Sequence, residues 1–83
     1  MKITVTKTVR VEEDLKVENL TVSSTGTRDV DSVNIEICYK GVEIGHGHLN
    51  IWTKWAHVTL NEDNQDLEDF LVESIENRTM QII

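Results

Sequence analysis

An α+β fold is predicted for this 83-residue chain by three features: β-branched alternation through most of residues 1–60, a two-residue turn at Lys40 and Gly41, and a change to helical period after Asn61. The expected architecture is an antiparallel, meander-like sheet of four to five strands. One C-terminal acidic amphipathic helix lies across one face of it, in a single domain covering residues 1–83. A chain of this length buries only about 60% of its unfolded surface, so the core must be thin. The hydrophobic content of 39% still argues for a folded chain over a disordered one.

In chain order, Ile3, Val5, Val9 and Val11 alternate with Thr4, Thr6, Thr8 and Arg10. This reads as one first strand with Lys7 interrupting its apolar face. Glu12, Glu13 and Asp14 form a charged turn. Leu15 and Val17, then Leu20 and Val22, suggest a second strand with a phase slip near Glu18 and Asn19. A helix over residues 11–22 is the competing reading, because Val11, Leu15 and Val22 are also helix-spaced. Residues 23–29, S-S-T-G-T-R-D, have the composition of a mobile loop. Val33, Ile35, Ile37 and Tyr39 form the apolar side of a third strand. With Lys40 and Gly41 as the turn, Tyr39 pairs with Val42 and Ile37 with Ile44, which keeps all four on one face.

Residues 42–60 hold all three histidines and both tryptophans. If Leu49 and Ile51 face the core, then His48, Asn50 and Trp52 face away, because strand side chains alternate. Ala56, Val58 and Leu60 carry the next apolar alternation, which leaves Trp55, His57 and Thr59 outside. The phase slips between the tryptophans. A tight turn at Thr53 and Lys54 would pair Trp52 with Trp55 and Asn50 with His57; a bulged strand is the alternative. A second slip is easiest at Gly45 and Gly47. Either geometry predicts an outward surface of His48, Asn50, Trp52, Trp55 and His57, with His46 at its edge. The competing arrangement tucks both indoles beneath the helix.

Beyond Asn61 the apolar stripe Leu67, Phe70, Leu71, Ser74 and Ile75 has helical spacing, and acids fill the other side. Asn61 or Asp63 is the expected cap. Residues 79–83, T-M-Q-I-I, read as a short last strand.

The net charge of −7 is unevenly placed: residues 61–83 hold seven acids against Arg78 alone. Phosphate binding needs clustered Lys and Arg, so direct nucleic-acid binding is not expected and a partner with a basic surface is. No apolar run reaches the roughly 18 residues of a membrane span, and polar residues stand where a signal peptide would be apolar. With a single cysteine, Cys38, a cytoplasmic setting is expected.

For metal chemistry, His46 and His48 share a face of a regular strand and His57 could join them, but a bulge at Gly45 to Gly47 would turn His46 aside and no carboxylate is placed to complete a set. The expectation is no metal and no cofactor. Nor is catalysis expected. Cys38 has neither a nucleophile elbow nor a glycine-rich turn beside it, and the helix acids lie along an open face.

Two functional readings remain. The first is a non-catalytic protein-binding module, an inhibitor of a host or partner protein, docking through Trp52, Trp55, His57, His48 and Asn50 or through the helix acids Asp66, Asp69, Glu73 and Glu76. A homodimer joined through sheet edges is a variant of it. In the second, those four carboxylates imitate a phosphate backbone and occupy the DNA or RNA site of a basic protein. In size and acidity the chain resembles small phage-encoded inhibitors, anti-CRISPR proteins among them, and that resemblance implies the mimic role.

Overall fold

The computed structural model describes residues 1–6 and 10–83 and contains two antiparallel sheets and one helix. Strands β1 (Lys2–Thr6) and β2 (Arg10–Asp14) form a hairpin. The main sheet is a meander of β3 (Leu20–Thr27), β4 (Ser32–Tyr39), β5 (Val42–Asn50) and β6 (Ala56–Leu60), in that spatial order. Helix α1 (Gln65–Glu76) follows. The α+β class, the antiparallel sheet and the single C-terminal helix agree with the sequence reading. Among the described residues no helix is long and apolar enough to cross a membrane.

The N-terminal run differs from the single strand expected of it. It is two strands, with Val5 opposite Val11 in the β1–β2 ladder. A chain reversal leaves β-branched alternation in both arms, so the side-chain period alone reads through it. Lys7, Thr8 and Val9, which the single-strand reading included, lie outside the described residues.

The slip near Glu18 and Asn19 is one turn of 3₁₀ helix, Val17–Asn19, which excludes the helix over residues 11–22. It delivers the chain into β3. That strand continues to Thr27, so most of S-S-T-G-T-R-D is not loop. Small polar residues suffice there because β3 is held through its backbone to β4. The register shifts between Ser24 and Gly26, leaving Thr25 as the extra residue of a bulge, with Gly26 at φ 140°.

At the next turn Lys40 (φ 53°) and Gly41 (φ 78°) both take the left-handed region, and Tyr39 pairs with Val42 as the two-residue turn requires. Ile37, however, faces Gly45 and not Ile44. The slip expected at the glycines falls one residue earlier, where Ile44 is the unpaired extra residue. Gly45 and Gly47 have another cause. A Cβ on Gly45 would sit 2.7 Å from the Thr59 carbonyl oxygen, and one on Gly47 would overlap the His57 carbonyl. The close approach of β6 to β5 therefore needs glycine at both positions.

The core lies between the sheet and α1. Leu20 and Val22 of β3, Ile35, Ile37 and Tyr39 of β4, and Ala56 and Val58 of β6 are buried with Leu67, Leu71 and Ile75 of the helix. Ile3 brings the β1–β2 hairpin into the same cluster. Tyr39 ties the hairpin to the sheet, since its hydroxyl accepts from the Lys16 N–H at 3.0 Å and donates to the Asp14 carbonyl at 3.5 Å. Lys40 adds an ion pair to Glu13 at 2.8 Å.

Helix α1 is capped by Asn64, not by Asn61 or Asp63: its side-chain oxygen accepts the Leu67 N–H at 3.2 Å, a contact of about 1 kcal/mol. Asn61 instead donates to the Glu43 carbonyl. The last residues run along β3, where Ile82 bridges Val22 in parallel and Ile83 exchanges backbone hydrogen bonds with Val22 and Ser24. The expected last strand is thus a single bridge that covers part of the β3 edge.

Candidate interaction surface

Alternation along β4, β5 and β6 sends one set of side chains to the helix and the other to the open face of the sheet. His46 and His48 stand on that open face, opposite Thr59 and His57 on β6 and opposite Glu36 and Asn34 on β4. His48 and His57 are direct cross-strand neighbours, with ring centroids 5.3 Å apart and planes tilted by 36°. The expected Asn50–His57 pair does not form, because β6 begins at Ala56 opposite Leu49.

The three histidines do share one face. Arg28, from the connection after β3, donates from Nη1 to His48 Nδ1, which must therefore accept. Partial burial first, then the Arg28 charge and His57, hold His48 below its ordinary pKa, with Asp29 pulling the other way. Among the described residues no group of three His, Cys, Asp or Glu side chains is gathered closely enough to hold a metal ion. Cys38, also on this face, donates Sγ–H to Glu36 Oε1 at 3.3 Å. Burial, then that bond and nearby acids, raise its pKa.

The tryptophans are not on the strand face at all. Neither a tight turn at Thr53 and Lys54 nor a bulged strand forms. Residues 51–55 make a longer turn in which the Asn50 carbonyl accepts the Lys54 N–H, and the Asn50 N–H donates to the Trp55 carbonyl, both at 2.8 Å. The Asn50 side-chain oxygen accepts the N–H groups of Trp52 and Thr53, each at 2.9 Å. Thus Asn50 organises the turn from within. Lys54 alone takes positive φ, at 64°, which Thr-Lys can supply more easily than the two left-handed residues of a tight hairpin.

This turn lifts Trp52 and Trp55 to 74% and 63% exposure, so neither is tucked beneath the helix. Ile51, expected to face the core, is 45% exposed because it sits in the turn. Beside it stands the β3–β4 connection, with Val30 at 90% exposure. Asp31 joins the two tips: its carbonyl accepts the Ile51 N–H and its carboxylate accepts Trp52 Nε1–H, each at 2.8 Å. One end of the sheet therefore presents Val30, Ile51, Trp52 and Trp55 together. No protein-family model, curated protein or solved structure matches this chain. The surface must be read from its own chemistry.

That chemistry is apolar and locally mixed in charge. Arg28 and Asp29 precede Val30 and Asp31 follows it, while Lys54 and Arg78 line a groove of about 520 Å³ between the turn and the C-terminal residues. Sequence reasoning passed over Val30, Asp31 and Arg28. The available signal was an apolar residue between two aspartates in a polar run, D-V-D.

The acidic helix face is partly committed to the fold. Asp66, Asp69 and Glu73 are exposed. Gln65 donates to Asp69 at 2.8 Å, and Glu76 accepts the Ala56 N–H at 2.8 Å. That last bond occupies the first outward N–H of edge strand β6, so the carboxylate row is interrupted at its C-terminal end.

Proposed function

We propose that this chain is a small non-catalytic protein-binding module that docks on its partner through the end of the sheet bearing Val30, Ile51, Trp52 and Trp55. The observation that carries the reading is the exposure of both indoles on a turn already ordered by Asn50 and Asp31. Tryptophan anchors bury roughly 150–250 Å² each, and a preordered turn spares them much of the entropy cost of docking. His48 and His57 lie along the strands behind the indoles and supply a polar margin. An inhibitory role in the cytoplasm fits this reading, with Cys38 as a reduced thiol.

The carboxylate-mimic reading has less support. Its row would be Asp66, Asp69, Glu73 and Glu76, and two of these already hold internal hydrogen bonds. Affinity capture from extracts of the native host separates the two readings. Trp52→Ala with Trp55→Ala should lose the retained partner, while Asp66→Lys with Asp69→Lys and Glu73→Lys should keep it. The reverse pattern would sink the tryptophan reading.

A further inference from the structure

At the opposite end of the sheet, a cleft of about 640 Å³ opens between the β1–β2 hairpin and the start of β5. Its floor is apolar, made by Ile3, Val42, Ile44, Leu60 and Leu67. The carboxylates of Glu12, Glu43 and Asp63 line it, with Glu62 beside them. Among the described residues Lys2 is the cation of the lining, and its ammonium lies 2.7 Å from Asp14 Oδ1, where it is already neutralised. Over its described residues the cleft is therefore both apolar and net negative.

One wall is a strand edge. The Lys2 carbonyl accepts from Asn64 Nδ2 at 3.0 Å, away from β2, whereas the Met1 carbonyl accepts the Leu15 N–H on the β2 side. Backbone groups alternate sides along a strand, so Thr4 also directs its N–H and C=O away from β2 and toward the cleft. Among the described residues neither group bonds to another element. The outer edges of the main sheet are partly covered: the chain end lies along β3, and Glu76 holds the first outward N–H of β6.

We infer that this cleft binds an extended, basic peptide segment, which adds to the free edge of β1 as a third strand. Strand addition supplies main-chain hydrogen bonds at Thr4, and alternation then sorts the guest's side chains. Aliphatic residues enter the floor, and Lys or Arg at the intervening positions meet Glu12, Glu43 and Asp63. The basic partner chemistry implied by the net charge of −7 thus finds its place here, remote from the tryptophan end. β5 separates the two sites by roughly 20 Å, at about 3.3 Å per residue.

The test is a titration of the full chain with a short synthetic peptide of alternating Lys and Val, followed by amide chemical shifts and affinity. Shifts should concentrate at Thr4, Ile3 and Glu43. Affinity should fall about tenfold or more in Glu43→Gln with Asp63→Asn, and again on raising salt from about 0.05 M to about 0.5 M. Thr4→Pro removes the outward N–H while sparing the ladder to β2, and should abolish binding. If that variant does not fold, the Gln/Asn variant carries the test. Trp52→Ala with Trp55→Ala should bind the peptide as the native chain does, which keeps this site separate from the tryptophan surface. Three outcomes overturn the inference: no binding, equal binding of a Glu/Val peptide, or shifts confined to α1 with Thr4 unmoved.

Discussion

Trp52 donates its indole N–H to the Asp31 carboxylate at 2.8 Å, bridging the tips of two hairpins that are far apart in sequence. The bond fixes the ring without burying it. Replacing Asp31 with Ala should therefore loosen the ring more than it destabilises the fold. The expected stability loss is about 1 kcal/mol in urea melts, since the bond is solvent-exposed. Indole N–H exchange should accelerate by a much larger factor. Unchanged exchange would show that the turn holds Trp52 without Asp31.

Gly47 is the most constrained position of β5, because a methyl there would overlap the His57 carbonyl oxygen. Gly47→Ala should cost about 2–3 kcal/mol as β6 is pushed from its partner. In a domain of this size each kcal/mol lowers Tm by roughly 4–8 °C, so thermal melting suffices as the check. A variant melting within a few tenths of a kcal/mol of the native chain would contradict the close approach.

His48 makes stability depend on pH with a defined sign. Its folded pKa lies below the ordinary value of 6.5, so between the two the unfolded chain binds more protons. The contribution is fully present above about pH 6.5 and is lost as pH falls through the lower, folded pKa. Melts taken from about pH 7.5 down to about pH 5 should show the decline, and His48→Gln should flatten it. Identical slopes for the two proteins would remove His48 as the cause. The Lys2–Asp14 pair acts in a separate, more acidic window, because Asp14 is held below 3.8 by the Lys2 hydrogen bond and charge.

Cys38 should alkylate slowly. Burial, the bond to Glu36 and the nearby acids all favour the thiol over the thiolate that reacts. At about pH 8 iodoacetamide should modify the folded chain several-fold more slowly than the urea-unfolded chain. Glu36→Gln should recover part of the difference. Equal rates in folded and unfolded protein would place Cys38 in open solvent.

The apolar alternation of β4, the Lys40 and Gly41 turn, the outward facing of His48 and His57, and the stripe of Leu67, Leu71 and Ile75 are all set by local sequence. Each depends on side-chain period or on a left-handed turn position, and both are written in consecutive residues. Tertiary structure decided the rest. The division of the first alternation into β1 and β2, the recruitment of S-S-T-G-T into β3, the bulge at Ile44 and the choice of Asn64 as cap, whose amide donates to the Lys2 carbonyl, all depend on backbone partners supplied by other segments. The same holds for the tryptophans. Alternation placed them on a strand, but the Asn50 side chain and Asp31 drew residues 51–55 into a turn and left both rings in solvent. Side-chain period tells which way a strand faces; hydrogen bonding between remote segments determines where that strand ends and what lies beside it.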